Sequence, residues 1–122
     1  MMQGYFGDNG ELFFEIELTA IDGSVVIVDA LLDTGFTDWL AMDTQEVDSL
    51  GWLLIDKKQM QTARGEKTFN LYQGTVSFDG QELTIPVLGG AEITEVLLGL
   101  RWLENRRLVV ERKAGLLTLS ND

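Results

Sequence analysis

Residues 25–37 read VVIVDALLDTGFT, an apolar run that ends in an aspartate, a threonine and a glycine. The run is rich in β-branched residues and is broken only by Asp29, which is typical of a strand buried on both faces. Asp33 comes at the end of this strand, so we expect its carboxylate in poorly solvated surroundings with backbone N–H groups nearby. An aspartate close to a glycine more often marks an ordinary turn, so the triplet alone does not establish a function.

The segments around this run predict further short strands. Residues 14–20 alternate apolar and polar side chains with the period of a strand that has one buried face. Hairpins are predicted around residues 63–66, around Asp79-Gly80 and around residues 114–115, because strand-forming segments there flank residues that adopt tight turns. Residues 93–98 predict another buried strand, and Pro86 indicates a strand end or a sheet edge.

Two short helices are predicted between the strands. Asp43 followed by Glu46 has the form of a capping box, and Gly51 would end the helix that begins there. Residues 100–105 predict a second short helix. Many short strands with one or two short helices indicate an all-β protein, a closed barrel or a sandwich.

The composition indicates one domain and excludes several kinds of chemistry. Its 122 residues, 45% of them apolar, suffice for one hydrophobic core, so we expect a single domain over residues 1–122. The absence of histidine and cysteine excludes Ser-His-Asp and Cys-His catalysis and removes the commonest metal ligand. Asp33, Asp38 and Asp43 recur every five residues but lack EF-hand spacing, so no metal or cofactor is expected and Asp38 is assigned no role.

The net charge and hydropathy bear on partners and location. Twenty acidic and nine basic residues give a net charge of −11, which repels nucleic acid and anionic lipid surfaces. No apolar stretch is long enough to cross a bilayer, and the N-terminus lacks the basic start and apolar run of a signal peptide. We therefore expect a cytoplasmic protein with neither nucleic acid nor membrane as a partner.

The tryptophans and the basic pairs are interpreted as structural. Trp39, Trp52 and Trp102 lie in apolar contexts and are predicted in the core rather than at a ligand site. Arg106-Arg107 and Arg112-Lys113 flank a predicted strand, so we expect them on a solvated face or at a sheet edge, where charge hinders aggregation.

Four sequence features together resemble the retropepsin-like aspartic proteases. ALLDTGFT, residues 30–37, resembles the catalytic loop of that family, and LLG at 97–99, before a predicted helix, resembles its second motif. The hairpin around Arg64-Gly65 lies where the family has its flap. LYQGTVSFDG, residues 71–80, is similar to a segment of the short bacterial members, and the resemblance covers about residues 12–119.

The resemblance implies a retropepsin-like closed barrel that supplies half of a pepsin-like active site. Because the chain has one Asp-Thr-Gly, it implies an aspartic endopeptidase active as a homodimer, in which two copies of Asp33 activate water to hydrolyse a peptide or protein substrate. Thr34 would brace the two catalytic loops, and Gly35 would let the backbone approach the carboxylates. Further residues are implied to bind substrate: Phe36, Thr37, Ala63, Arg64, Gly65, Glu66, Leu98 and Gly99.

The chain departs from the family pattern in three places. Phe36 is bulky where a small residue is usual, and the flap carries Arg64, Glu66 and Lys67 where viral enzymes are apolar and rich in glycine. Residues 4–10 and 120–122 are predicted to be too loose for a strong dimer sheet. A second interpretation therefore stays open, a non-catalytic acidic β-barrel module for dimerisation or peptide binding, with Asp33 as a turn residue.

Overall fold

Short β-strands make up most of the computed structural model, which describes residues 1–121. The last residue of the predicted 1–122 domain, in the terminus expected to be loose, lies outside the described residues. One α-helix, α1 (Thr44–Leu50), and 3₁₀ helices at Leu100–Leu103 and Arg112–Ala114 join the strands. The strands are β1 (Met2–Gln3), β2 (Tyr5–Phe6), β3 (Leu12–Thr19), β4 (Val25–Leu32), β5 (Leu40–Asp43), β6 (Leu53–Thr62), β7 (Gly65–Phe78), β8 (Gln81–Gly90), β9 (Val96–Leu98), β10 (Arg107–Glu111) and β11 (Leu116–Ser120).

Six strands close into a barrel. They pair in the order β3-β4-β9-β5-β8-β7, and β7 pairs back onto β3 through Leu18 and Val76. Strands β2 and β6 extend the sheet beside β3 and β7, while β1, β11 and β10 form a separate sheet. The predicted all-β closed barrel with short helices is confirmed.

The barrel interior is filled by the buried faces of these strands. On β3 the alternation seen in the sequence places Phe14, Ile16 and Leu18 inside, each at most 2% exposed. Trp52 and Trp102 are also buried, as predicted, and Trp39 packs partly buried against the same core. Apolar burial is the main favourable term in folding, so the stability of the barrel depends on this alternation.

Strand β4 is not buried on both faces, contrary to the prediction. Val25, Val26 and Ile27 are 54%, 44% and 59% exposed. The physical reason is pairing, because β4 meets β9 only from Ala30 to Leu32. Its first half therefore has β3 alone as a neighbour, and the apolar run becomes buried only as it approaches Asp33.

The local signals in the sequence place most turns correctly. Asp43 caps α1 by accepting a hydrogen bond from the Gln45 N–H, and Gly51 ends the helix with φ +73°. The Asp79-Gly80 turn joins β7 to β8 with both residues at positive φ. The strand predicted over residues 93–98 is shorter, Val96–Leu98.

Pro86 lies inside β8 rather than at a strand end, but it lies where one edge of β8 is unpaired, in line with the alternative prediction of a sheet edge. Its partner on β7 is Gln73, and the pairing of β8 with β5 begins one residue later, at Val87. At Pro86 the side of β8 that faces β5 is therefore not yet paired, and a residue without an N–H is tolerated at such a position.

The N-terminal segment is more ordered than expected. Met2 pairs with Leu119 of β11, the Gly4 N–H donates to the Leu117 carbonyl, and Tyr5 pairs with Phe13 of β3. The termini of the chain therefore pair with each other in one small sheet. Over residues 1–121, no helix combines the length and hydropathy needed to span a membrane.

Candidate active site

Asp33 begins the loop that leaves β4 at the open end of the barrel. Its backbone N–H donates to the Leu98 carbonyl at 2.9 Å, continuing the pairing of β4 with β9 by one more bond. The Asp33 Oδ1 accepts the Gly35 N–H at 2.9 Å, and the Asp33 carbonyl accepts the Phe36 N–H at 3.1 Å. The carboxylate is therefore fixed by the backbone of its own turn, while Thr34 and Gly35 are exposed beside it.

The second motif supports this loop from within the protein. The Gly99 N–H donates to the Trp39 carbonyl at 3.0 Å, and the Leu100 N–H donates to the Phe36 carbonyl at 2.8 Å. A Cβ at Gly99 would overlap the Asp38 carbonyl oxygen and lie 2.8 Å from its carbon. The close approach of the two segments therefore requires glycine.

Two of the residues predicted to bind substrate lie inside the chain. Leu98 is 0% exposed and Gly99 is buried, so neither presents a side chain to a cleft. Their backbone contacts hold the Asp33 loop, and substrate binding by these two residues stays a prediction from the resemblance. Thr37 is exposed on the loop, and Phe36 is 8% exposed.

An aromatic cluster lies beneath the loop. The Trp102 indole N–H donates to the Trp39 carbonyl at 2.6 Å, and its ring stacks on Phe78 with the centroids 4.2 Å apart. The Arg106 guanidinium lies over both rings, 5.1 Å from the Phe78 centroid and 5.6 Å from that of Trp102. The expectation that Arg106 is a solvated or edge charge is wrong, since it packs on the aromatic core as a cation–π partner.

The β6–β7 hairpin forms around the residues for which a flap was predicted. Its turn is Ala63-Arg64, followed by Gly65 with φ +103°, and the Thr62 hydroxyl donates to the Gly65 carbonyl. Within residues 1–121, no hydrogen bond or ion pair joins the predicted flap residues, Ala63 to Glu66, to the Asp33 loop. What the loop and the hairpin share is a small apolar cluster of Phe36, Ala41 and Leu88, against which Met60, Phe69, Leu71, Ile93 and Leu97 pack.

Two sets of ion pairs tie the hairpin to the rest of the site. The Lys58 ammonium of β6 donates to the Asp38 carboxylate at 2.6 Å. Asp38 lies in the loop that follows Phe36 and was assigned no role from the sequence, but it anchors the hairpin to that loop. Near the tip, Lys67 bonds Glu92, and Arg64 lies 3.8 Å from the same carboxylate. The hydrogen bond and charge of Lys67 lower the pKa of Glu92 below its ordinary value, and Arg64 acts in the same direction.

A cavity of about 390 Å³ opens beside the site and was not predicted from the sequence. Its apolar walls come from β4, β9 and the turn that precedes β9, and two glutamates belong to the same turn. No local pattern indicates it, because its walls come from segments some sixty positions apart. It is lined by Leu31, Glu92, Ile93, Thr94, Glu95 and Leu97.

Comparisons with known proteins agree with this architecture. Neither a protein-family model nor a curated protein matches the sequence. Among solved structures, the chain is similar to a retropepsin-like aspartic protease from Rickettsia conorii, with 21% identity, a TM-score of 0.72, and coverage of 98% of this chain and 88% of that one. It is also similar to the EIAV protease in complex with the inhibitor HBY-793 (18% identity, TM-score 0.61, coverage 86% and 98%) and to the simian foamy virus protease (21%, 0.54, 79% and 99%). The barrel, the Asp33 loop and these similarities together show that the chain has the fold of the retropepsin-like aspartic proteases.

Proposed function

We propose that the protein is an aspartic endopeptidase that acts as a homodimer and hydrolyses peptide bonds between two copies of Asp33. The observation that carries the proposal is the placement of Asp33, whose carboxylate is held by the Gly35 N–H at 2.9 Å on a partly exposed turn. This turn belongs to a fold whose solved examples include proteases. Since one chain supplies one such aspartate, a second copy is needed to complete the site.

The chemistry follows from two carboxylates within hydrogen-bonding distance. Two negative charges so close cannot both persist, so the pair holds one proton. The charged carboxylate takes a proton from water as the water oxygen attacks the peptide carbonyl carbon, and the protonated one donates its proton to the carbonyl oxygen. The tetrahedral gem-diol then collapses: the carboxylate left charged takes a proton from one hydroxyl as C=O re-forms, the C–N bond breaks, and the other carboxyl passes its proton to the leaving nitrogen. We therefore expect activity at acid or mildly acidic pH.

The loop residues are assigned roles that their positions support. Thr34 is exposed next to Asp33 and would brace the partner loop, while Gly35 keeps the carboxylate accessible, because a Cβ there would lie 3.2 Å from the Asp33 Oδ1. Phe36 and Thr37 would line the start of the cleft. The hairpin tip, residues 63–66, would cover an extended peptide, whose apolar side chains would contact the half-buried apolar walls of the site.

The decisive experiment is Asp33→Asn. Asparagine has nearly the same shape and preserves the turn, but it neither accepts a proton from water nor shares one with its mate, so we expect cleavage of a denatured protein or a peptide library to be lost while fold and dimer persist. Asp48→Asn, on the exposed side of α1, is the matched control and should cleave as the wild type does.

Equal cleavage by wild type and Asp33→Asn would refute the peptidase. Absence of cleavage in both would favour the non-catalytic barrel module. Cytoplasmic location and a bacterial type remain predictions from the sequence.

A further inference from the structure

The cavity beside Asp33 lies on the face of β4 that the proposed substrate would contact. Leu31 precedes Asp33 by two positions in an extended segment, so the two side chains point to the same face, about 7 Å apart along the chain. Leu31 is also the register partner of Leu97, and both line the cavity. A side chain within one or two positions of a peptide bond held at Asp33 therefore reaches this cavity.

The lining combines an apolar floor with an acidic rim. Leu31, Ile93 and Leu97 are half-buried, whereas Thr94 and Glu95 are exposed at the edge. The volume of about 390 Å³ is within the range of sites that hold small organic groups, about 300–1,000 Å³. The cavity is therefore large enough for a long side chain that keeps its end at the rim.

The two rim glutamates differ in their charge balance. Glu92 is already engaged by Lys67 and Arg64. Glu95 forms no ion pair with any residue from 1 to 121, although it lies three positions further along the same turn. The rim thus presents one uncompensated carboxylate to a bound group, next to a floor that favours apolar contact.

We propose that this cavity is a subsite for a substrate residue with a long apolar stem and a cationic head, lysine or arginine, and that Glu95 pairs with the head. The proposal rests on the proposed peptidase and specifies its substrate class. A lysine or arginine stem lies along apolar surface while its charge stays at the wet edge, which is the division that Leu31, Leu97 and Glu95 offer. The net charge of −11 also attracts basic peptides to the protein.

The test uses one extended peptide with an apolar pair at the cut, in which each flanking position is replaced in turn by lysine, by the uncharged isostere norleucine or by glutamate. Cleavage is measured at about pH 6, where exposed carboxylates are charged. At one flanking position we expect kcat/KM for lysine to exceed that for norleucine by about three- to tenfold, with glutamate the poorest. Glu95→Gln should bring the lysine-to-norleucine ratio to about one, whereas Glu82→Gln, an exposed glutamate on β8 outside the cavity lining, should keep it.

The possible outcomes separate this inference from the proposed function. Cleavage with no lysine preference at any position, or a preference that survives in Glu95→Gln, overturns the subsite and leaves the peptidase standing. If wild type cleaves no peptide, the peptidase fails, and binding of the same peptides to Asp33→Asn protein by fluorescence anisotropy decides the cavity independently. If Asp33→Asn protein binds the lysine peptide with a lower Kd than the norleucine peptide, and the Asp33→Asn, Glu95→Gln double variant does not, the subsite is supported. Equal Kd values of Asp33→Asn protein for the two peptides overturn it.

Discussion

Gly99 lies at the tightest contact in the candidate site, where it passes the backbone of Asp38. We expect Gly99→Ala to lower the free energy of unfolding by about 2–4 kcal/mol, because a new methyl group would meet backbone atoms that cannot rotate away. Gly115→Ala is the comparison, since Gly115 has φ +66° and open space around it, so only the left-handed conformation is penalised, by about 1 kcal/mol. Urea unfolding of both variants measures the difference. Equal losses would show that the Gly99 contact is not as close as described.

The position of the Asp33 loop could be predicted from the sequence because its contacts are local. Asp33 and Gly35 bond each other across two positions, and the Leu97–Gly99 motif meets them through the backbone of adjacent strands. Asp38 and Arg106 were missed for the opposite reason. Asp38 gains its role from Lys58, twenty positions away, and Arg106 gains its own from the rings of Phe78 and Trp102. The sequence does not show which distant partner the fold brings next to a charged side chain.

At the scale of elements, the β6–β7 hairpin is held near its tip by Glu92. The pKa of Glu92 is lowered by the hydrogen bond from Lys67, so the folded state favours the charged carboxylate. A lowered pKa means that this stabilisation is present above the ordinary glutamate pKa, about 4.3, and is lost as the pH falls through the lower folded value. We therefore expect the tip to open in strong acid and in high salt, since salt screens an exposed pair.

Hydrogen exchange of the amides in residues 60–67 measures this opening. Glu92→Gln should lower the protection factors of these amides at neutral pH toward those that wild type shows in acid, whereas Glu82→Gln should not. Exchange in Glu92→Gln equal to wild type at every pH would mean that the hairpin is held by Met60 and Phe69 in the apolar cluster alone.

Element boundaries followed the sequence where a local signal existed and departed from it where pairing determined the outcome. Asp43, Gly51 and the Asp79-Gly80 turn mark ends that their own chemistry requires. The exposure of Val25 and the position of Pro86 depend instead on where neighbouring strands begin to pair. An apolar run shows that a strand is present, but the number of its neighbours is a property of the sheet.

At the scale of the whole molecule, the small sheet of β1, β11 and β10 bears on how two copies would meet. Met2 and Gln3 pair with β11 of the same chain, and β11 also pairs with β10, so β11 has no free edge to offer a second copy. A dimer would then depend on the exposed Asp33 loops and on exposed apolar residues such as Tyr5, which is 46% exposed and stacks on Phe13. Each copy carries a net charge of −11, so we expect association to strengthen when salt screens the repulsion.

Mixing wild type with Asp33→Asn protein tests whether each active site needs two copies. If every site is made from one Asp33 of each subunit, subunits that exchange freely form wild-type pairs in proportion to the square of the wild-type fraction. An equal mixture at constant total protein should then keep about one quarter of the activity, because a mixed pair lacks one of its two carboxylates. Asp48→Asn in place of Asp33→Asn should leave the activity unchanged. Isotope labelling of the wild type lets native mass spectrometry show that mixed dimers have formed, and retention of about one half in such an exchanged mixture would mean that each chain cleaves on its own.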